Sequence, residues 1–408
     1  MRIIRDVESG RFLDETIDSI FSRSKLDDSQ RALIYELASG VIRWRGYLDF
    51  IVSRYSTKPV QKEVRYLLWT ALYQVGFMKK AHYHVIKESV EFAKSEHGKF
   101  VAGFLNAVLR RFVNDTELRD LPERDKVRKS FPHWLYRKWA RQFGNEATDK
   151  LLAELMKGPR FALRVNTARL PVEEAKRELA DRGVIAAQGT YAPSSLTVDR
   201  LLPVMATSAF RKGLLSIQGE ASQLAGIAVE QAAGKRILDA CSGSGTKTKQ
   251  IIQLCPHSSV HAMDIDMKRI TLSALNVPVV CGDVLKPPFA SNSFDTVLVD
   301  APCSSLGIIR KHPEIKWRRT KAEVIRFAQL QLAMLSSLWD LLSEGGRMIY
   351  SVCSFEPEET LDVINNLAKE KKFILENPLP FLFNKDYFIS LPHETAMDGF
   401  FIARLRKL

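Results

Sequence analysis

The chain has 408 residues, 46% of them hydrophobic and 26% charged, which at about 150 residues per domain describes a folded protein of two or three domains. Gly at 21 and Pro at 17 exclude a collagen-like or low-complexity chain, and no run of apolar residues is long enough to cross a membrane, the best stretch, Tyr66–Met78, being interrupted by Gln74. Sixty Lys and Arg against 47 Asp and Glu leave a formal charge of +13, an excess that favours a polyanionic partner, nucleic acid or an acidic membrane surface, although a solvated basic surface has the same charge.

Arg2, Arg5, Asp6 and Glu8 stand at the N-terminus with no apolar segment behind them, so a cytoplasmic location is expected. Residues 1 to about 115 carry apolar side chains at helical spacing: Ile17, Ile20 and Phe21; Leu33, Leu37 and Val41; Leu48, Ile51 and Val52; Val64, Leu67, Leu68, Ala71 and Leu72; Val101, Phe104, Leu105 and Val108. They predict an all-helical domain over residues 1–120. Pro122–Arg141 follows, with seven basic and two acidic residues interleaved with Phe131, Trp134, Tyr136 and Trp139. Such a segment can stack bases and bind phosphates, but aromatics near helical spacing are more often packed, and the packed reading is preferred.

Over residues 121–212 the pattern is that of a linker and a small α+β connector, with strands at Phe161–Val165 and Leu196–Val198 and a helix at Val172–Arg182. Gly213–Ile217 is a further strand candidate, and residues 213–408 form the third predicted domain. There strands are expected at Arg236–Ala240, Val260–Asp264, Val277–Cys281, Thr296–Asp300, Arg347–Val352 and Gly399–Leu405. Helices alternate with them, notably Lys247–Leu254 and Lys321–Leu342, which predicts an α/β, Rossmann-like domain on a parallel sheet.

Ligands of such folds sit at the carboxyl ends of the strands. The first predicted strand runs into Cys241-Ser242-Gly243-Ser244-Gly245-Thr246-Lys247, a turn whose glycines let the backbone approach a ligand. It has neither the full dinucleotide-binding spacing nor that of a phosphate-binding loop. Asp264 ends the second strand and can accept hydrogen bonds from ribose hydroxyls; Asp283, after the third, can meet an adenine amino group. In this order they suggest an adenosine-containing cofactor.

All five cysteines, 241, 255, 281, 303 and 353, lie in the C-terminal half, and their odd number argues against a disulfide framework. No Cys-x-x-Cys pair is present, and no metal is expected. Asp300-Ala301-Pro302-Cys303-Ser304 and Tyr350-Ser351-Val352-Cys353-Ser354, the latter followed by Pro357-Glu358-Glu359, deliver Cys303 and Cys353 to the same sheet edge. Two thiols just past core strands fit reactive groups better than buried structural ones. Cys255 and Cys281 have no such context.

These two cysteine motifs resemble those of the S-adenosylmethionine-dependent RNA (cytosine-5) methyltransferases. Gly307-Ile308-Ile309-Arg310-Lys311-His312-Pro313-Glu314-Ile315-Lys316-Trp317 is similar to the ribosomal RNA branch, Arg164-Val165-Asn166-Thr167 and Asp398-Gly399-Phe400-Phe401 resemble two further motifs, and Leu105-Asn106-Ala107-Val108-Leu109-Arg110-Arg111 is similar to a NusB-like RNA-binding domain. Together they point to the Sun/Fmu type. The cofactor loop, read Cys-Ala-Ala-Pro-Gly-Gly-Lys in the family, departs here by losing the proline and one glycine. The upstream Gln-Asp pair reads Gln218-Gly219 before Glu220, and the stretch from Asp266 to Gly282 is short for a full helix and strand.

The resemblance implies methylation of cytosine C5 in 16S ribosomal RNA, with S-adenosylmethionine held at Cys241–Lys247, Asp264, Asp283 and Asp300. It implies Cys353 as nucleophile and Cys303 as the thiol that helps product release. The chemistry is consistent: a thiolate adding at C6 makes C5 nucleophilic, and Asp300, sharing a proton with N3, would stabilise the charge that develops. Pro302-Cys303 also looks like the nucleophile motif of the DNA enzymes; the presence of Cys353 favours the RNA arrangement. The target base must leave its stack, and Gly307–Lys321, with six basic residues and one acidic one, is expected to clamp RNA. His312 is expected to be structural. The expected partner is small-subunit ribosomal RNA, with no membrane and no obligate protein partner. A non-catalytic assembly factor on a degenerate methyltransferase fold, and the same enzyme acting on transfer RNA, are the alternatives.

Overall fold

The computed structural model describes every residue except Thr57, Lys79 and Ala274, with the backbone alone at Leu272 and Ser273. The chain divides into two units, Met1–Lys157 with His312–Arg318, and Gly158–Lys311 with Arg319–Leu408.

The first unit is helical throughout. Its long helices are Asp28–Tyr55, Lys62–Gly76 and His82–Asn114, the first begun by a capping box in which Asp27 and Gln30 satisfy each other's backbone N–H groups, the last broken in its dihedrals at Gly98. Apolar residues at helical spacing, among them Val41, Leu48, Ile51, Leu68, Leu72, Leu105 and Leu109, form its interior. Helix Glu123–Lys129 and helix His133–Phe143 follow. Phe131 and Trp139 are buried edge to face at 6.1 Å, the packed outcome for two of the four aromatics in that segment, while Trp134 and Tyr136 are half-buried.

His312–Arg318 belongs to this unit, and here the expected RNA clamp loses its central lysine. Lys316 is wholly buried: its Nζ donates to the Arg43 carbonyl at 2.8 Å and lies 4.1 Å from the centre of the Phe131 ring. Trp317 Nε1 donates to the Ile42 carbonyl, and Glu314 accepts from the Leu13 N–H. His312 faces Asp14 at 3.5 Å, a structural contact. Of the six basic residues in Gly307–Lys321, only Lys321 is exposed. The physical reason is that carbonyl and aromatic groups take up the Lys316 donors, so that part of the sequence charge is not a surface charge.

In the second unit, strands β1 (Phe161–Val165), β2 (Ala186–Gln188), β3 (Ser195–Val198) and β4 (Leu215–Ile217) make an antiparallel sheet in the order β2-β3-β1-β4. Helix Val172–Ala180 supplies Ala175 and Leu179 to the core of this layer, together with Leu163, Leu196 and Leu215. The candidate strand ending at Ile217 thus pairs with β1, not with the larger sheet.

The larger sheet comprises β5 (Arg236–Asp239), β6 (Ser259–Asp264), β7 (Val279–Cys281), β8 (Phe294–Asp300), β9 (Leu342–Val352), β10 (Phe373–Glu376), β11 (Tyr387–Ser390) and β12 (Phe400–Lys407). Its order is β10-β12-β9-β8-β5-β6-β7, with β11 also paired to β12. Strands β5 to β9 are mutually parallel, but β12 runs antiparallel to β9, and β10 and β11 antiparallel to β12. The sheet is therefore mixed, a correction to the all-parallel expectation. Alternation of strand and helix reports parallel crossovers only as far as β9; helix Leu361–Leu367 still lies between β9 and β10, yet β12 pairs antiparallel with β9 and the chain doubles back. The short stretch after Asp266 still accommodates helix Met267–Ser273 and the three residues of β7.

Candidate functional site

The carboxyl ends of β5, β6, β8 and β9 open onto a cavity of about 700 Å³. Cys241, Ser242, Gly243, Ser244, Thr246, Lys247, Asp264, Asp283, Asp300, Cys303 and Cys353 all line it, so the structure brings together every predicted site residue except Gly245, which holds the turn behind it. Gly243 and Gly245 have left-handed φ of 53° and 77°, and these let the chain reverse from β5 into helix Thr246–Leu254 within one turn. Ile265, Val284, Leu285, Leu330 and Met334 supply apolar wall.

Asp264 accepts from the Gly243 N–H at 2.8 Å and the Asp266 N–H at 2.9 Å, which ties the loop to β6. Ser242 is buried, with its hydroxyl unpartnered. A cavity wall with an unanswered hydroxyl, two carboxylates at successive strand ends and a glycine backbone suits an adenosine-bearing ligand. The Cys241 thiol, pushed well up by burial and then by the charges of Asp239, Asp300 and Asp264, stays neutral.

At the other end of the cavity the Lys247 ammonium donates to Asp300 Oδ2 at 2.6 Å, and Ser351 Oγ donates to Asp300 Oδ1 at 2.8 Å. Burial pulls the Lys247 ammonium down, but the charge of Asp300 and its hydrogen bond outweigh this and hold it above the ordinary lysine value. Asp239, buried at the end of β5, accepts from Thr248 Oγ1 at 2.7 Å and has its other oxygen unpartnered. Burial, reinforced by the charge of Asp300, pushes its carboxyl up to about 6 against the Thr248 hydrogen bond.

Cys303 Sγ and Cys353 Sγ lie 3.2 Å apart. Both loops are held: the Gly307 N–H donates to the Cys353 carbonyl at 3.1 Å, and the Gly399 N–H to the Gly307 carbonyl at 2.8 Å. A Cβ on Gly307 would come within 2.0 Å of the Gly399 carbonyl, so only glycine permits this approach. The pair divides one proton unequally. The hydrogen bond from Cys303 draws Cys353 below the ordinary thiol range against burial, with help from Ser305 and Lys247. The same hydrogen bond, then burial and the Cys353 charge, push Cys303 well up. The pair is polarised so that Cys353 gives up its proton more readily than Cys303. Cys255 packs in the core, its thiol pushed up to about 11 by burial, and Cys281 is exposed on β7.

Arg164 in β1 is not in the cavity. It is buried and donates to Gln218 Oε1 at 2.7 Å and to Gln253 Oε1, and burial brings its guanidinium down to about 10. Asp398 binds Lys311 Nζ at 2.5 Å. Sequence reasoning missed Asp239, Ser305, Gln331 and Glu359; Glu359 stood in the noted Pro357-Glu358-Glu359 but had no role there. Among the described residues no group of three or more His, Cys, Asp or Glu is placed to hold a metal ion, and no helix is long and apolar enough to cross a membrane.

Known proteins agree with this architecture. The family model described as 16S rRNA methyltransferase RsmB/F matches residues 227–406, the NusB family matches 1–114, and the ferredoxin-like domain of RsmF/B-like methyltransferases matches 131–205. The chain is similar to ribosomal RNA small subunit methyltransferase B of Vibrio cholerae, 31% identical with 98% of this chain and 94% of that one covered. It is also similar to the probable ribosomal RNA small subunit methyltransferase B of Bacillus subtilis, 30% identical over 96% and 94%. In fold it follows the crystal structure of PH0851, with a TM-score of 0.82 at 24% identity, covering 99% of this chain and 97% of that one. With a NusB domain, a ferredoxin-like connector and a methyltransferase domain in that order, and relatives that match along nearly its whole length, the chain belongs to the 16S rRNA methyltransferase RsmB/F family.

Proposed function

We propose that this protein methylates carbon 5 of one cytosine in small-subunit ribosomal RNA, using S-adenosylmethionine and a covalent bond between Cys353 and C6 of the base. The observation that carries the reading is the thiol pair 3.2 Å apart at the edge of the cavity, beside the Lys247–Asp300 ion pair.

S-adenosylmethionine would supply an electrophilic methyl group; Asp264 and Asp283 suit its adenosine and the loop Cys241–Lys247 its chain. The Cys353 thiolate adds at C6 of the flipped cytosine, and electron density passes to C5. Negative charge grows at N3 as this bond forms, and the Lys247–Asp300 pair is the proton reserve that neutralises it. After transfer C5 carries both a methyl group and a hydrogen. Removing that proton returns the electron pair to the ring and expels Cys353 as thiolate. Cys303 is the base assigned to this step. It is poorly suited while Cys353 is anionic, because the hydrogen bond to Cys353 and its charge keep the Cys303 proton on. Both influences vanish once Cys353 is bonded to C6, so Cys303 can lose its proton to solvent when a base is needed.

The experiment is transfer of a tritiated methyl group from S-adenosylmethionine to unmodified small-subunit ribosomal RNA, followed by nucleoside analysis. A labelled 5-methylcytidine peak is expected. No transfer to naked RNA, assembled subunits or transfer RNA by folded protein would leave the assembly-factor reading instead, and transfer to transfer RNA alone would change the substrate.

A further inference from the structure

Glu359 follows Cys353 by six residues, is wholly buried and does not line the cavity. Its Oε1 accepts from the Ser304 N–H at 2.6 Å and from Gln331 Nε2 at 3.3 Å. Its Oε2 accepts from Ser354 Oγ at 2.6 Å and from Ser304 Oγ. Ser304 is the residue after Cys303 and Ser354 the residue after Cys353. One carboxylate therefore grips both cysteine loops, which are 50 residues apart in sequence.

The grip is itself anchored. Gln331, from helix Lys321–Leu338, also donates to the Pro302 carbonyl at 2.9 Å. The Tyr350 hydroxyl lies 2.6 Å from the Glu359 carbonyl and 3.0 Å from Gln331 Oε1. Arg319 Nε donates to the Ser304 carbonyl at 2.8 Å. A buried carboxylate is costly to keep, and an apolar residue of similar size can fill the same volume. Burial pushes the Glu359 carboxyl up, and the hydrogen bonds from Ser304, Ser354 and Gln331 work against that; in its charged form it does what packing cannot and opposes a second negative charge nearby.

We propose that Glu359 is a positioning residue that holds the Cys303 and Cys353 loops at their working separation, and that its carboxylate fixes the division of the proton between the two thiols in favour of Cys353 as thiolate. The proposal rests on the reading of these thiols as nucleophile and base. The charged and titratable groups acting on the pair are Lys247 from the helix after β5, Asp300 from β8, Tyr350 from β9 and Glu359, with Arg319 ahead of helix Lys321–Leu338 bound to the Ser304 carbonyl. The negative charge of Glu359 adds to that of Cys353 in keeping Cys303 protonated.

The test is Glu359→Gln in the full-length protein, with the pH profile of iodoacetamide alkylation read separately at Cys303 and Cys353 by mass spectrometry. This readout needs neither RNA nor methyl transfer, so it stands apart from the failure of the methylation reading, which the wild type alone would show. The midpoint for Cys303 is expected to fall by about one pH unit. With active RNA substrate, kcat is expected to fall about tenfold with KM for RNA and S-adenosylmethionine binding near wild type. Unchanged profiles at both thiols would overturn the proposal, and so would a fall in kcat with unmoved profiles, which would mark a structural role alone. Should Glu359→Gln fail to fold, Ser354→Ala cuts one tie and leaves the carboxylate in place. Its Cys353 profile is expected to shift upward, and an unmoved profile would overturn the proposal in that background.

Discussion

Two lysines, one in each unit, are largely withdrawn from water and meet opposite fates. Lys247 keeps 14% of its side chain exposed and has the Asp300 carboxylate at 2.6 Å. Its ammonium is held above the ordinary value. Lys316 is wholly buried, makes no ion pair among the described residues, and has the Arg43 carbonyl, the Met156 sulfur and the Phe131 ring around its nitrogen. Burial, with the nearby Arg43 charge added, drives it well below the ordinary value. The partner, not the residue type, decides whether a buried lysine is a charge or an anchor. The same rule divides the thiols, where Cys303 donates and Cys353 receives.

The largest effect is expected where a thiol loses its complement. Cys303→Ala removes the base and should slow release by about 10²–10⁴-fold, leaving a protein–RNA band that survives denaturation; free turnover would break the analogy between thiols and lysines. Lys247→Met should follow, with transfer falling about 10²–10³-fold. Cys353 should then alkylate only at higher pH, because its stabilising cation is gone. A variant that transfers normally would show that the ion pair is scaffolding, as Lys316 is.

That contrast also marks how far the sequence could be read. The cysteine loops were legible because largely apolar strands end in them: Val297–Val299 and Met348–Val352 carry Asp300, Cys303 and Cys353 to one edge whatever surrounds them. The helical unit was legible through its 3.6-residue period. Lys316 was misread as an RNA contact because sequence charge does not show burial, and its partners at Arg43 and Phe131 are far away in the chain. Glu359 was passed over for the same reason, since the donors that make its burial tolerable, Ser304 and Gln331, are 55 and 28 residues away. Helix Leu361–Leu367 precedes β10 just as a helix precedes a parallel strand, so the pattern of elements did not show the doubling back at the sheet edge.

Asp239 extends the comparison to a carboxylate with only partial compensation. Its folded value of about 6 lies above the usual 3.8, so the folded state holds this proton more tightly than the unfolded one. The associated stability is complete below 3.8 and is lost as pH rises through 6. Asp239→Asn keeps an oxygen for Thr248 and removes the charge. It should be more stable than wild type at pH 8 by about 3 kcal/mol, with the advantage shrinking toward pH 5, as thermal melts across that range would read. An advantage that does not vary with pH would mean that the unpartnered oxygen carries no charge to relieve.

The smallest effect is expected at Lys316. Its folded value is depressed, so on lowering the pH below the ordinary lysine value the unfolded state takes up a proton that the folded state refuses. Stability falls with pH through that window until the folded value is reached. Lys316→Met keeps the length of the side chain and its contact with Phe131, and loses one hydrogen bond to the Arg43 carbonyl. That bond is worth about 1 kcal/mol and is set against relief from the unmet protonation. Methyl transfer should therefore stay near wild type, and melting temperature relative to wild type should be higher at pH 7 than at pH 10. A transfer rate falling as far as that of Lys247→Met would make Lys316 part of the chemistry. A stability difference that grows toward pH 10 would mean that Lys316 is charged in the fold, and the contrast between the two lysines would fail.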